Sequence, residues 1–255
     1  MRPRNPLLFV LLATSMAGMW SAHAQTAPQI QRGPDNGPDT YIPGIDVLPL
    51  PGLPFSANDK IVWTRPIEGG GSITTYLDAK AIRDSQGRLY RERHRFGPAN
   101  VDPESTLIEF SIDDPVSHTH TLCNRASHLC HITNYQPRLS FGEQPVGSFD
   151  QGRRYLTRES LGTQSIQELS VVGTLEKVSI APGTVGNDQL ITLSREFWYS
   201  PDLKTNLAVT RKDPRVGTQA ITLIILSRSD PDPSVFTVPT GYRVQDDRHV
   251  ARPPS

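Results

Sequence analysis

Alternation of apolar and polar positions is the dominant signal along this chain. Between residues 183 and 226 three apolar runs, rich in β-branched and aromatic side chains, occupy residues 189–199, 207–212 and 220–226. They are closed by Ser200-Pro-Asp, Asp213-Pro-Arg-Val-Gly217 and Asp230-Pro-Asp-Pro. Runs of this kind, separated by Pro, Asp and Gly, predict an antiparallel meander. The amino-terminal half repeats the theme at residues 60–65, 72–82, 88–96 and 106–112, with Asp84-Ser-Gln-Gly87 as a turn between the second and third. In the fourth run Ile108, Phe110 and Ile112 share one face and Glu109 and Ser111 the other, a period of two. The run Leu223-Ile-Ile-Leu226 is apolar on both faces, which predicts a cover on each side. No run has a period of 3.6. Residues 157–169 are ambiguous, and Gly162 weighs against a helix there.

These patterns predict a mainly β fold: a single curved antiparallel sheet, an open or half barrel, over residues 56–247. Residues 25–59 hold seven prolines and few aromatics, so residues 25–55 read as a Pro-rich arm or linker, its first part disordered. The more apolar stretch 45–56 could instead lie extended against the domain, or serve as a plain tether. Residues 248–255 read as a tail.

The first residues bear on compartment. Arg2 and Arg4 precede the apolar Leu7-Leu-Phe-Val-Leu-Leu12, and Ala22-His-Ala24 is a small-x-small cleavage site. This predicts a signal peptide over residues 1–24 and an exported chain, periplasmic or extracellular, with no membrane span after cleavage. Basic and acidic residues balance at 26 each. A neutral chain argues against a nucleic-acid partner, which asks for a basic face.

Candidate chemistry is sparse. His118, His120, His128 and His131 surround Cys123 and Cys130. Three readings compete. An oxidising compartment and a hairpin-sized spacing favour a Cys123–Cys130 disulfide with its turn at residues 124–127. That register would put His118, His120 and His131 on one sheet face, a set able to hold zinc or copper, although no carboxylate is obviously placed to orient them. Covalent haem is excluded, because the spacing is not Cys-x-x-Cys-His. No cofactor is expected. Arg91, Arg93 and Arg95 share a strand face; a solvated edge-protecting face is favoured over an anion-binding ladder. Arg195 and Glu196 read either as an internal polar pair or as ordinary alternating strand residues. No nucleophile elbow, phosphate loop or His-Glu-x-x-His is present, and no catalytic residue is assigned.

Several blocks resemble a group of secreted bacterial proteins of unknown function: Leu53-Pro-Phe-Ser-Ala57, Arg83-Asp-Ser-Gln-Gly-Arg-Leu-Tyr-Arg-Glu92, Glu159-Ser-Leu-Gly162, Gly186-Asn-Asp188, Glu196-Phe-Trp-Tyr-Ser-Pro-Asp-Leu203, Asp213-Pro-Arg-Val-Gly217 and Pro231-Asp-Pro-Ser-Val-Phe-Thr-Val-Pro-Thr-Gly-Tyr242. The last third, with Phe236-Thr-Val-Pro239, Gly241 and Asp246-Asp247, is also similar to the periplasmic lipoprotein-carrier family and its relatives in envelope-stress sensing. That resemblance implies an antiparallel half-barrel with an apolar concave face, although the helical lid of that family is not legible here. The function it implies is an exported binding or chaperone-like module, with a lipid, a lipidated protein or an envelope protein as partner. Trp63, Phe110 and Trp198 are the candidate lining residues, against the reading that all three are ordinary core. The alternatives are a structural or protein-interaction domain without a small ligand, then a metal-binding protein or hydrolase.

Overall fold

The computed structural model describes residues 44–137 and 144–248. The expected signal peptide, the first part of the arm and nearly all of the expected tail lie outside them. The first meander runs β1 (Phe55–Ile67), β2 (Gly71–Arg83), β3 (Leu89–His94), a one-turn helix α1 (Pro103–Thr106), β4 (Leu107–Asp114), β5 (Thr119–Asn124) and β6 (Leu129–Asn134). The second runs β7 (Gly147–Phe149), β8 (Arg154–Ile166), β9 (Leu169–Ile180), β10 (Ile191–Ser200), β11 (Thr205–Asp213) and β12 (Gly217–Ser227). A 3-10 turn (Pro233–Phe236) and β13 (Arg243–Asp246) follow. Among the described residues no helix is long and apolar enough to cross a membrane.

The thirteen strands of the described residues form one sheet in the order β13-β6-β5-β4-β3-β2-β1-β12-β11-β10-β9-β8-β7. The fold is therefore mainly β, and the sheet is open, because its end strands β13 and β7 are not neighbours. Two meanders of local hairpins are joined edge to edge where β1 pairs with β12. One feature departs from a purely antiparallel sheet: β13 runs parallel to β6. After β12 the chain crosses to the far edge of the first meander, and only such a long crossover lets a parallel partner form. The ambiguous stretch is also resolved. Residues 154–166 form β8, with Gly162 at an irregularity in its pairing with β9.

Register divides the sheet into two faces. Ile61 and Trp63 of β1 stand opposite Ile221 and Gln219 of β12, and Ile221 stands opposite Val209 of β11. These positions define the first face, and Ile61, Trp63, Val209, Ile221 and Leu223 are all buried there. Segment 44–54 contributes buried Ile45 and Val47. It is tied to this face by Ile45 N–H to Asp59 Oδ2 (3.0 Å) and by Thr205 Oγ1 to the Asp46 carbonyl (3.3 Å). Of the two readings for this stretch, a tether and an extended cover, the structure has the cover.

In the first meander the apolar core lies on the opposite face. Phe110, Ile112, Cys123, Cys130 and Phe236 form one buried cluster, with Ile82, Tyr90, Val235, Val238 and Tyr242 packed against it. Its cover is the segment after β12. Asp232 caps the 3-10 turn through Ser234 N–H (2.8 Å), and the Arg88 guanidinium lies 4.5 Å over the Phe236 ring. In the doubly apolar run of β12 Leu223 is buried, Ile224 and Ile225 are half-buried, and Leu226, at the irregularity in the pairing with β1, is exposed. The sequence expectation of a cover on each side is met only in part: Ile224 on the second face is half-buried, and Leu226 stays exposed.

Cys123 stands directly opposite Cys130 in the β5–β6 hairpin, and the two form a disulfide, both sulfurs fully buried. Closing so short a loop is worth roughly 2.5 kcal/mol in the chain-entropy model. The double variant Cys123→Ala/Cys130→Ala should lose about that much in urea unfolding, and the denatured, unreduced parent should show no free thiol. Two titrating thiols in the parent would sink the assignment.

Candidate functional site

A pocket of about 330 Å³ opens on the first face, lined by β7 to β12 and the β11–β12 turn. Its walls hold Val178, Leu193, Phe149 and Val216 together with Arg154, Glu176, Arg195, Arg211, Lys212 and Asp213. The residues come from six strands, and alternation puts Glu176 and Val178, Leu193 and Arg195, and Arg211 and Asp213 on this face. The volume sits at the small end of ligand pockets, roughly 300–1,000 Å³. An apolar floor with charged groups at one side suits an amphiphilic guest.

The three aromatic candidates do not meet. Trp63 is on the first face beside the pocket without lining it. Its indole N–H donates to the Val216 carbonyl (2.8 Å), its ring meets Phe96 edge-on at 5.7 Å, and the Arg65 guanidinium stacks over it at 4.3 Å. It therefore holds the turn that forms the pocket rim. Phe110 pairs with Cys123 and belongs to the core on the other face. Trp198 also points away from the pocket: its partners across the ladder are Gly173 and Ala208, and its ring occupies the space where a Cβ on Gly173 would stand. Any larger residue at 173 would displace it. Its indole N–H donates to Glu196 Oε1 (2.8 Å). Glu196 thus pairs with Trp198 on one face, while Arg195 pairs with Glu176 on the other (2.7 Å). The two neighbours are alternating strand residues and not a pair.

The arginine run of β3 is neutralised. Arg91 donates to Asp113 (3.0 Å) and Arg93 to Glu109 (2.7 Å), while Arg95 falls beyond the strand end. On the other face of β3, Glu92 accepts from the Tyr90 hydroxyl (2.9 Å), the Lys80 N–H (3.0 Å) and His94 (3.1 Å). Burial alone would raise the Glu92 pKa, yet the bonds from His94, Lys80 and Tyr90 prevail and hold it at about 2.

The histidines are oriented by carboxylates that the sequence reading did not find. His120 Nδ1 meets Asp113 Oδ1 at 2.5 Å and His131 Nδ1 meets Asp247 Oδ2 at 2.7 Å. Asp247 is 116 residues from His131, so no local signal could reveal the pair. His118 sits in the turn before β5 with φ 55°. Among the described residues no three His, Cys, Asp or Glu side chains group closely enough to hold a metal ion.

No protein-family model matches the sequence, and no curated protein matches it. Solved structures similar to it include an uncharacterised conserved protein from Thermus thermophilus, at 10% identity over 76% of this chain and 91% of that one, TM-score 0.40. Lipoprotein LppX of Mycobacterium tuberculosis is similar at 11% identity over 72% and 90%, TM-score 0.29. A LolA superfamily protein from Nitrosomonas europaea is similar at 12% identity over 74% and 91%, TM-score 0.27. Lipoproteins and a LolA superfamily protein thus stand among its structural neighbours. Identities and TM-scores of this size leave ligand and activity to be argued from the chain's own residues.

Proposed function

We propose that this chain is an exported binding module for an apolar or lipidated partner, whose apolar part enters the pocket on the first face. The observation that carries the reading is the 330 Å³ pocket itself, open between β7 and β12 and floored by Val178, Leu193 and Val216. An apolar surface left accessible in a concave site is stabilised by any guest that removes it from water. Trp63 supports the site through Val216, and Phe110 and Trp198 serve the packing of the other face.

Delipidated protein should bind a fluorescent fatty-acid probe saturably, and unlabelled fatty acid should displace it. Val178→Trp, which fills the pocket, should weaken binding by about tenfold or more. Trp198→Ala, on the opposite face, should leave it unchanged. Absence of saturable binding to the parent protein would make this an interaction domain without a small ligand.

A further inference from the structure

Four hairpins of the sheet turn at the same end, side by side. In strand order they are β1–β2, β11–β12, β9–β10 and β7–β8. Register sets their height. Thr64 stands opposite Thr218, Thr218 opposite Lys212, Lys212 opposite Ser194 and Ser194 opposite Lys177, one row across five strands. Beyond that row β1 runs on three residues to Ile67, β10 three to Ile191 and β11 one to Asp213, so the turns finish near one level. β7–β8 joins them, because Arg154 stands opposite Ile180 and Ile180 opposite Ile191. The first three turns present large apolar side chains to water: Ile67 (47% exposed), Val216 (40%), Val185 (42%) and Leu190 (62%). Hydrogen bonds fix these turns. Asn187 donates to the Ala181 and Gln189 carbonyls (3.0 and 2.6 Å), and its Oδ1 accepts the Val185 N–H (3.1 Å). The Val216 N–H donates to the Asp213 carbonyl (3.1 Å), and the Val216 carbonyl accepts from Trp63.

Apolar side chains exposed singly need no explanation, but a row of them marks a contact surface. Val116 and Leu226 are exposed at the opposite end, where β4 and β12 have three strands between them. The charges of the four turns answer one another locally. Asp150 pairs with Arg153 (2.8 Å) and Arg154 (3.4 Å), and Asp213 with Arg215 (2.6 Å). Glu68 and Asp188 add two carboxylates, so among the described residues the turns carry no cationic excess to draw anionic headgroups. Strand spacing sets neighbouring hairpins about 10 Å apart, and polar turn residues lie between the apolar tips. A protein partner asks for a continuous apolar core inside a polar rim. Separate tips on a level edge fit instead a soft surface into which each sinks by itself. The pocket meets this edge: Val216 lines it from the β11–β12 turn, and Phe149 and Arg154 line it from either side of the β7–β8 turn.

We propose that this row of turns docks on the surface of a neutral lipid bilayer, with Ile67, Val185 and Leu190 entering the headgroup region and the pocket beside Val216 facing the lipid. The choice of a lipid over a protein surface rests on the reading that the pocket takes an apolar partner; the exposed row stands without it. Docking removes the tips from water, and the gain follows the apolar area they bury. An acyl chain leaving the bilayer then meets Val216 and the pocket floor without being exposed on the way.

The test floats the protein, purified after export, with vesicles of phosphatidylcholine. The parent should float with them, and neither added salt nor anionic lipid should change the bound fraction. Ile67→Ser/Val185→Ser/Leu190→Ser should weaken the partition about tenfold or more. It should keep the parent's unfolding midpoint and its binding of the fatty-acid probe, since the pocket wall is built of other residues. Leu190→Ser alone should give part of that loss. Val116→Ser/Leu226→Ser, at the opposite end, should float as the parent does. A parent that stays in solution overturns the docking edge, and its binding of the probe then decides the pocket reading separately. Flotation that the triple variant keeps, or that the opposite-end variant loses, also overturns the edge. Flotation that needs anionic lipid and vanishes in salt makes the attachment electrostatic and overturns the apolar row. A parent that does not float but self-associates, with the triple variant monomeric, gives the row to a protein surface and overturns the lipid.

Discussion

Replacing Arg83 with alanine is expected to cost about 3–5 kcal/mol of stability and to release segment 44–54 from the sheet. Arg83 closes β2 and is fully buried. Its guanidinium donates to three main-chain carbonyls: Nε to Leu53 (2.7 Å), Nη1 to Leu48 (2.9 Å) and Nη2 to Leu203 (2.8 Å). It also lies 4.8 Å over the Phe55 ring. One side chain thus joins the arm, β1, β2 and the β10–β11 turn. Burial lowers its pKa to about 10, so it remains charged at neutral pH. The alanine variant leaves a cavity and three inward-facing carbonyls without their donor, and each unsatisfied buried group is costly. Arg83→Met keeps most of the volume and none of the donors, so it should recover only the cavity part of the loss. Urea midpoints with unchanged slope measure the effect, and cleavage within residues 44–54 by limited proteolysis reports release of the arm. A loss below about 1 kcal/mol with the arm still protected would remove Arg83 from this role.

The second large effect has the opposite sign. Asp59→Asn should stabilise the protein at pH 8 by roughly 2–4 kcal/mol and flatten its stability between about pH 4 and pH 7. Asp59 lies on the first face between Ala79 and Leu223. Oδ2 accepts the Ile45 N–H, and buried Oδ1 has no hydrogen-bond partner. Burial raises its pKa from 3.8 to about 7, against the lowering effects of the Ile45 bond and Arg211. The folded state therefore holds the proton more tightly than the unfolded chain. The stability this gives is full below about pH 4 and is lost as pH rises through 7. Asparagine keeps an oxygen for Ile45 and carries no charge, so the difference between variant and parent should grow across that window and level off above it. Glu92 does not confuse the comparison. Its pKa is lowered to about 2, so its contribution is lost only as pH falls below about 4.5. A constant difference from pH 4 to pH 8 would mean that Asp59 does not titrate as its burial implies.

The sequence by itself determined the elements that depend on neighbours in the chain. Ile108, Phe110 and Ile112 alternate with Glu109 and Ser111, and β4 forms there, because a strand's two faces are written by a period of two. Asp84 and Gly87 form the turn between β2 and β3: the Asp84 carboxylate accepts from the main chain of Gln86 and Arg88, and Gly87 takes φ 86°. The Cys123–Cys130 bridge was legible for the same reason, since seven residues of hairpin bring the pair together. Period two names the faces of a strand without saying which one will be covered. That choice fell to remote segments, the arm over the face of Asp59 and Thr205 and the residues after β12 over Phe110, and it parted the three aromatics. The charged row Arg158, Glu176, Arg195 and Arg211 on the first face shows the same limit most sharply. Its four residues occupy four strands between positions 158 and 211, and each alone is an ordinary polar strand residue. The register of β8 through β11 brings them onto one line, as the junction of β1 with β12 brings that line to Trp63, and only the tertiary pairing of strands decides register.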